Sequence, residues 1–340
     1  MKLWSLIKKW LRKLFCKEKT SDVKPVTPAI VEGIKEDEDM LRNSIIGAAG
    51  SSGEVLSLDF AEYTLNPAKS SITYHDNSSN GPTLGLLWTN IKIRGVSASP
   101  DGTKLYLHDA NQAETYEMIG AGPWDFSSLS VGYTRTVDTQ GMQTTPAWSP
   151  DGTRYYMISG QTSPKIVYQY NVSTPFSLAS ASYAGQSSVM SSVVTNDGYL
   201  DRFNKIGTLL LDGDGSQFYI TDDGGFNTKI YGATMSTNFE VTTSSLISST
   251  ATPFQAQIRI WGGWIHPKGK LFVTAGIDSI DSYQLEKAFD FTTAVLQSRL
   301  IRADNNIWSR GVSVSDDLSK LVVYDCLSQR EHYFSVYEKL

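Results

Sequence analysis

The sequence predicts an all-β fold, a β-propeller of five four-stranded blades. Three observations carry this: one turn that recurs five times, a period near 50 residues, and a fixed succession of short apolar strands around each turn. Ser99-Pro100-Asp101-Gly102-Thr103-Lys104-Leu105-Tyr106 returns as Ser149-Pro150-Asp151-Gly152-Thr153-Arg154-Tyr155-Tyr156. Weaker copies begin at Asp212, His266 and Ser315. The turn residues at 102, 152, 215, 269 and 318 are separated by 50, 63, 54 and 49 positions.

Each blade justifies its strands in turn. The first strand is short and apolar, as in Gly95-Val96-Ser97-Ala98 and Pro146-Ala147-Trp148. The turn follows: proline presets φ, aspartate bonds nearby backbone, and glycine accepts positive φ. The second strand is aliphatic or aromatic (Leu105-Tyr106-Leu107, Phe218-Tyr219-Ile220, Leu321-Val322-Val323), suited to a pleated, half-buried surface. The third strand carries tyrosine at Tyr116, Tyr168, Tyr231, Tyr283 and Tyr333. A second turn leads into an outer strand at Pro123-Trp124-Asp125-Phe126, Pro175-Phe176-Ser177-Leu178, Asn238-Phe239-Glu240-Val241 and Ala288-Phe289-Asp290-Phe291. The fifth copy stops at Leu340 after its third strand. Pro67 to Tyr74 resembles Pro175 to Tyr183 and is expected to supply the missing outer strand, closing the ring and removing two exposed edges. Glu54 to Phe60 reads as a further strand, which keeps six blades as the alternative.

The Ser-Pro-Asp-Gly-Thr-Lys-Leu-Tyr unit resembles the repeats of TolB-type, WD-like propellers and of their relatives among bacterial seven-bladed lactonase-like proteins. The longer unit from Val167 to Tyr183 resembles a repeat of uncharacterised propellers from marine bacteria and tailed-phage virions. The resemblance spans about residues 54–340 and implies the propeller fold. Because propellers host unrelated activities, it implies little about chemistry.

The domain reading is 1–19, a basic amphipathic helix; 20–53, a tether; and 54–340, the propeller. On a helical projection Leu3, Trp4, Leu6, Ile7, Trp10, Leu11, Leu14 and Phe15 fill one half, and Lys2, Lys8, Lys9, Arg12 and Lys13 the other. That is the pattern of a helix lying in a membrane interface. Docking in a protein groove and nucleic-acid contact remain alternatives. Charge interrupts the apolar run too often for a transmembrane span or a cleavable signal peptide. Cys16 is an acylation candidate. The tether contains Pro25, Pro28, the acidic run Glu36-Asp37-Glu38-Asp39 and a small-residue stretch from Gly47 to Gly53. Residues 1–20 hold seven Lys or Arg against Glu18, a charge of +6, so within the total of −5 the remainder carries −11. An acidic body disfavours nucleic acid as the propeller's partner.

Catalytic chemistry is poorly signposted. Cys16 and Cys326 make neither a disulfide framework nor a zinc spacing. His75, His108, His266 and His332 fall at unrelated repeat positions, whereas a shared channel metal would require histidine where the inner strands offer Ser97, Trp148, Leu210, Trp264 and Ser313. Asp212 and Asp214 on their glycine turn resemble the start of a calcium loop and are the candidate metal ligands, but Gln217-Phe218-Tyr219-Ile220 lacks the later bidentate carboxylate, which favours an ordinary turn. There is no Gly-x-Ser-x-Gly elbow. Tryptophans at 88, 124, 148, 261, 264 and 308 are expected mainly in inter-blade cores. The pair Trp261 and Trp264 within Trp-Gly-Gly-Trp, and Tyr199 and Arg202 in the insertion from Ser187 to Phe203, are the candidate ligand contacts. The expected function is therefore non-enzymatic, with no cofactor. It is a recognition or structural propeller tethered to a membrane surface or virion, in a virion or bacterial cell envelope, and binding a protein or glycan. The alternative is a lactonase-like hydrolase with a channel metal.

Overall fold

The computed structural model describes residues 56–74, 93–109, 114–136, 146–158, 166–187, 206–222, 230–250, 260–276, 279–301, 307–327 and 331–340. The chain opens with β1 (Tyr63–Leu65) and β2 (Ser71–Tyr74). Blade 1 is β3 (Ile93–Ala98), β4 (Lys104–Asp109), β5 (Glu114–Ile119) and β6 (Ser130–Thr136). Blade 2 is β7 (Ala147–Trp148), β8 (Arg154–Ile158), β9 (Val167–Val172) and β10 (Ala181–Gln186). Blade 3 is β11 (Ile206–Leu211), β12 (Gln217–Asp222), β13 (Ile230–Met235) and β14 (Ser244–Thr250). Blade 4 is β15 (Gly262–Ile265), β16 (Leu271–Ala275), β17 (Ser279–Leu285) and β18 (Ala294–Ile301). Blade 5 is β19 (Ile307–Val314), β20 (Lys320–Leu327) and β21 (Glu331–Lys339), completed on its outer side by β1 and β2. All strand pairs are antiparallel, and the five sheets form the propeller ring that the repeat predicts.

Five hydrophobic clusters follow from the strand alternation, one for each junction between blades. Tyr106 of blade 1 joins Tyr155, Met157 and Leu178 of blade 2. Tyr156 and Ile158 meet Leu209, Phe218 and Val241 of blade 3. Leu210 and Tyr219 meet Phe272, Tyr283 and Phe291 of blade 4. Leu271 and Val273 meet Val312, Leu321 and Val323 of blade 5, together with Leu58, Phe60 and Tyr63. Val322, Tyr324, Phe334 and Val336 return to Val96, Leu105 and Phe126 of blade 1. A blade has no core of its own, so it is stable only between neighbours.

The repeated turn is a hydrogen-bonded unit. In blade 1 the Gly102 N–H donates to the Ser99 carbonyl (2.8 Å), the Ser99 hydroxyl donates to Asp101 Oδ1 (2.5 Å), and the Thr103 N–H donates to the same oxygen (3.0 Å). The Lys104 N–H donates back to Ser99 Oγ (3.1 Å). Gly102 sits at φ +68°, and a Cβ there would lie 2.2 Å from the Trp124 ring. Glycine is needed both for the left-handed backbone and for the close approach of the indole.

The segments expected to begin the outer strands instead form turns. Trp124, Phe176, Phe239 and Phe289 adopt φ between 53° and 61°, and each donates its N–H to the carbonyl of its turn glycine at 2.7–3.1 Å. Two residues later Phe126, Leu178, Val241 and Phe291 are buried in the junctions. In blades 2 to 4 a single 3-10 turn follows, and the outer strand starts only at Ala181, Ser244 or Ala294. Sequence reading missed this because an aromatic at positive φ looks like an ordinary strand aromatic.

The closing strand is where the sequence placed it, with two corrections. β1 pairs with β21 through Tyr63↔Lys339 and Thr64↔Glu338, and β2 pairs through Ser71↔Phe334 to Tyr74↔Glu331. The stretch equivalent to Ser177–Ala181, however, is Asp59–Tyr63. Asp59 caps the 3-10 turn Phe60–Glu62 as Asp290 caps Phe291–Thr293. Tyr63 lies opposite Lys339 as Ala294 lies opposite Leu285, and Lys339 and Leu285 bond equivalent turn carbonyls, Ser319 and Lys270. The Asn66-capped turn Pro67–Lys69 then splits the outer strand in two. Residues 56–60 therefore make no extra strand, and the sixth-blade alternative falls.

Candidate functional site: an axial cavity

The inner strands β3, β7, β11, β15 and β19 end around a central cavity of about 180 Å³ at the face that carries the repeated turns. Its rim draws on every repeated turn: Ser99 and Pro100, Ser149 and Pro150, Asp212 and Gly213, Pro267, and Asp316. Its wall includes Ser97, Ala147, Leu210, Trp264 and Ser313, which share one register because they face Tyr106, Tyr156, Tyr219, Val273 and Val322 on the second strands. Trp148 belongs one position later, beside Ala98 in register, which corrects its placement in the set of equivalent inner residues. It still lines the cavity.

The tryptophans play different parts. Trp148 lies among Tyr106, Tyr155 and Phe176, at centroid distances of 4.6, 5.0 and 5.5 Å. Trp264 lines the cavity and meets His266 edge-on at 5.8 Å. Trp261 does not join it: Arg310 stacks on its ring at 4.9 Å. The expected pair is thus divided, and only Trp264 borders the cavity. Trp124 is buried in the first junction. Tyr199, Arg202, Trp88 and residues 1–19 lie outside the described residues.

Asp212 does the work of the turn serine. Its carboxylate accepts the Gln217 N–H at 3.0 Å and the Ser216 hydroxyl at 2.7 Å, while Asp214 accepts the Ser216 N–H at 2.9 Å. Burial raises the Asp212 carboxyl above its ordinary range, whereas the Ser216 N–H lowers Asp214. Among the described residues no group of three or more His, Cys, Asp or Glu is placed to hold a metal. His266 accepts the Lys268 N–H at 3.0 Å as another turn cap, and His108 lies in a buried chain with Thr115 and Tyr155.

Two wall atoms stand out. Ser97 Oγ and Trp148 Nε1 are closed to water and have no hydrogen-bond partner among the described residues. Leaving such a group unpaired costs about 1–3 kcal/mol. Ser313, by contrast, accepts the Ala98 N–H at 3.2 Å and so ties blade 5 to blade 1.

The scaffold around the cavity is stitched between blades. Tyr106 donates its hydroxyl to the Phe176 carbonyl (2.6 Å), and Tyr156 does the same to Phe239 (2.8 Å). Glu117 accepts the Leu178 N–H and Gln169 the Val241 N–H, both at 2.8 Å. At the closing blade Ser282 donates to the Leu58 carbonyl at 2.7 Å. These bonds join neighbouring blades through their second and third strands and so hold the ring that carries the inner strands.

No protein-family model matches the sequence, and no curated protein is significantly similar to it. Among solved structures, the chain is similar to a functionally unknown protein from Desulfotomaculum acetoxidans DSM 771, with 10% sequence identity and a TM-score of 0.40 over 77% of this chain and 71% of that one. A likeness of that size carries no argument about function.

Proposed function

We propose that this chain is a non-enzymatic recognition propeller that receives the end of a glycan in its axial cavity. The observation that carries the reading is the cavity itself: a small concavity on a stitched ring, with Trp148 and Trp264 in an otherwise largely apolar wall. Binding sites for small ligands combine such apolar walls with a few placed polar groups. A cavity of this size suits a terminal sugar better than a protein surface. The acidic body argues against nucleic acid as partner. The basic amphipathic segment 1–19, through Leu3, Trp4, Ile7, Trp10, Leu11, Leu14 and Phe15 with Lys8, Lys9, Arg12 and Lys13, anchors the propeller to a membrane surface or particle. The resemblance of the Val167–Tyr183 unit to a repeat of propellers from marine bacteria and tailed-phage virions supports a place on a virion or bacterial envelope. No helix among the described residues is long and apolar enough to cross a membrane.

Glycan-array binding by the full chain, beside its Trp264→Ala variant, tests the recognition reading. Binding to sugars that the variant loses is the expected result. Capture of a protein alone, or metal-dependent lactone hydrolysis with a stoichiometric divalent ion in the purified chain, would contradict it. Co-sedimentation with anionic vesicles tests the anchor: the full chain pellets, and the chain lacking residues 1–19 stays in solution.

A further inference from the structure

We infer that the cavity selects among sugars by charge: its preferred glycan ends in an amino sugar whose protonated amine meets the Asp316 carboxylate at the rim. The inference rests on the glycan reading and narrows it to cationic sugars. The repeat itself singles out Asp316. At its position in the turn the other four blades carry Pro100, Pro150, Gly213 and Pro267. Proline presets φ at that position, so an aspartate there gives up a preference of the turn. The acid that serves the turn is instead Asp317, which accepts the Ser315 hydroxyl at 2.6 Å and the Ser319 N–H at 3.0 Å. Asp316 is exposed and borders the cavity, and among the described residues its carboxylate takes part in no hydrogen bond or ion pair.

The rest of the lining agrees in sign. Among the described residues the charged groups that line the cavity are Asp212 and Asp316, with no lysine, arginine or histidine. Lys268 and Lys320 belong to the same turns but stand outside the lining. Asp212 is buried, and its two oxygens are taken by the Gln217 N–H and the Ser216 hydroxyl, so it adds negative charge without offering a contact. It too departs from the repeat, standing where Ser99, Ser149 and Ser315 stand. Two acids and no cation repel a carboxylate, sulfate or phosphate and favour an ammonium. Trp264, half-buried on the inner strand of the neighbouring blade, adds an indole, the aromatic group that attracts an ammonium most strongly. An amino sugar meets both conditions: its charge suits Asp316, and its ring suits the apolar wall. Because Asp316 is reachable from solvent, recognition needs no rearrangement of the ring of blades.

Calorimetric titration of the full chain at low ionic strength with glucosamine, glucose, N-acetylglucosamine and N-acetyl-lysine amide tests this. The inference expects glucosamine to bind about tenfold more tightly than either neutral sugar. Added salt should shrink that margin. Asp316→Asn, which keeps the shape but removes the charge, should bring the three sugars within about twofold of one another. Asp316→Pro, which installs the residue found at 100, 150 and 267, should do the same while the melting temperature holds or rises. Equal affinity for the three sugars, or tighter binding of a neutral one, would overturn the amine assignment while leaving the glycan reading intact. Failure of all three sugars to bind, with or without binding of the lysine amide, would overturn both. A preference for glucosamine that survives both substitutions would overturn the assignment to Asp316.

Discussion

Blades 2 and 5 solve the same geometrical problem with different chain. In blade 2 the turn glycine Gly152 lies at φ +69° beneath Phe176, which is 24 residues away, and Leu178 enters the junction just after it. In blade 5 Leu318 occupies the glycine position at φ 56°. Its cover comes from residues 58–63. Tyr63, 255 residues distant, donates its hydroxyl to the Leu318 carbonyl, and Leu58 and Phe60 take the places of Phe176 and Leu178. Burial, reinforced by Glu62 and Asp317, pushes the Tyr63 hydroxyl up to about 12, so it stays a donor across the neutral range. The lesson is that the blade is conserved as a set of contacts, not as a continuous stretch of sequence. Where the chain arrives from afar, a side-chain hydroxyl replaces the backbone N–H that a tight turn would supply.

The largest effect expected from this comparison is at the two equivalent plugs. Phe60→Ala and Phe291→Ala should each cost about 3–5 kcal/mol in denaturant unfolding. A much smaller loss at Phe60 would show that the closing segment is only loosely held. Next comes the turn glycine. Gly152→Ala places a Cβ 2.4 Å from the Phe176 ring at positive φ and should cost about 2 kcal/mol. Leu318→Gly removes a left-handed strain of about 1 kcal/mol but also a packed side chain, so calorimetry should find a change smaller than that at Gly152.

The smallest effect concerns the turn acids. Asp317 is held below its ordinary range by the Ser315 hydroxyl and the Ser319 N–H. At Asp101 burial works in the opposite direction but is outweighed by the Ser99 hydroxyl and the Thr103 N–H. Their stabilisation is complete above the ordinary aspartate value of 3.8 and is lost as pH falls through the lower folded value. Asp212 is raised instead, so its contribution weakens as pH rises from 3.8 through its folded value. Asp212→Ser, which installs the residue found at 99, 149 and 315, should therefore gain about 0.5–2 kcal/mol at neutral pH. Its melting temperature should gain less in acid than at pH 7.

Much of the fold was legible because the turn chemistry is local. Proline, aspartate and glycine specify their own backbone, so the five repeats could be counted directly. The strand positions of Phe176 and Phe239 were not legible, because what puts them in a turn is contact with a glycine 24 residues earlier. The same limit produced the one-residue slip at Trp148: β7 is too short to show an alternation, and its register comes from β8. At the site, the residue types were visible as Ser97, Trp148 and Trp264. Their meeting around one cavity was not, since it depends on how five blades close.

That closure is most directly tested by a cross-link. Thr64 and Glu338 are facing partners in the outer pair of blade 5. A Thr64→Cys, Glu338→Cys double variant should form an intramolecular 64–338 disulfide under mild oxidation, identified by peptide mapping, with the melting temperature maintained or raised. Failure to form that bond in folded protein, or its formation only between molecules, would contradict a ring closed by its own beginning.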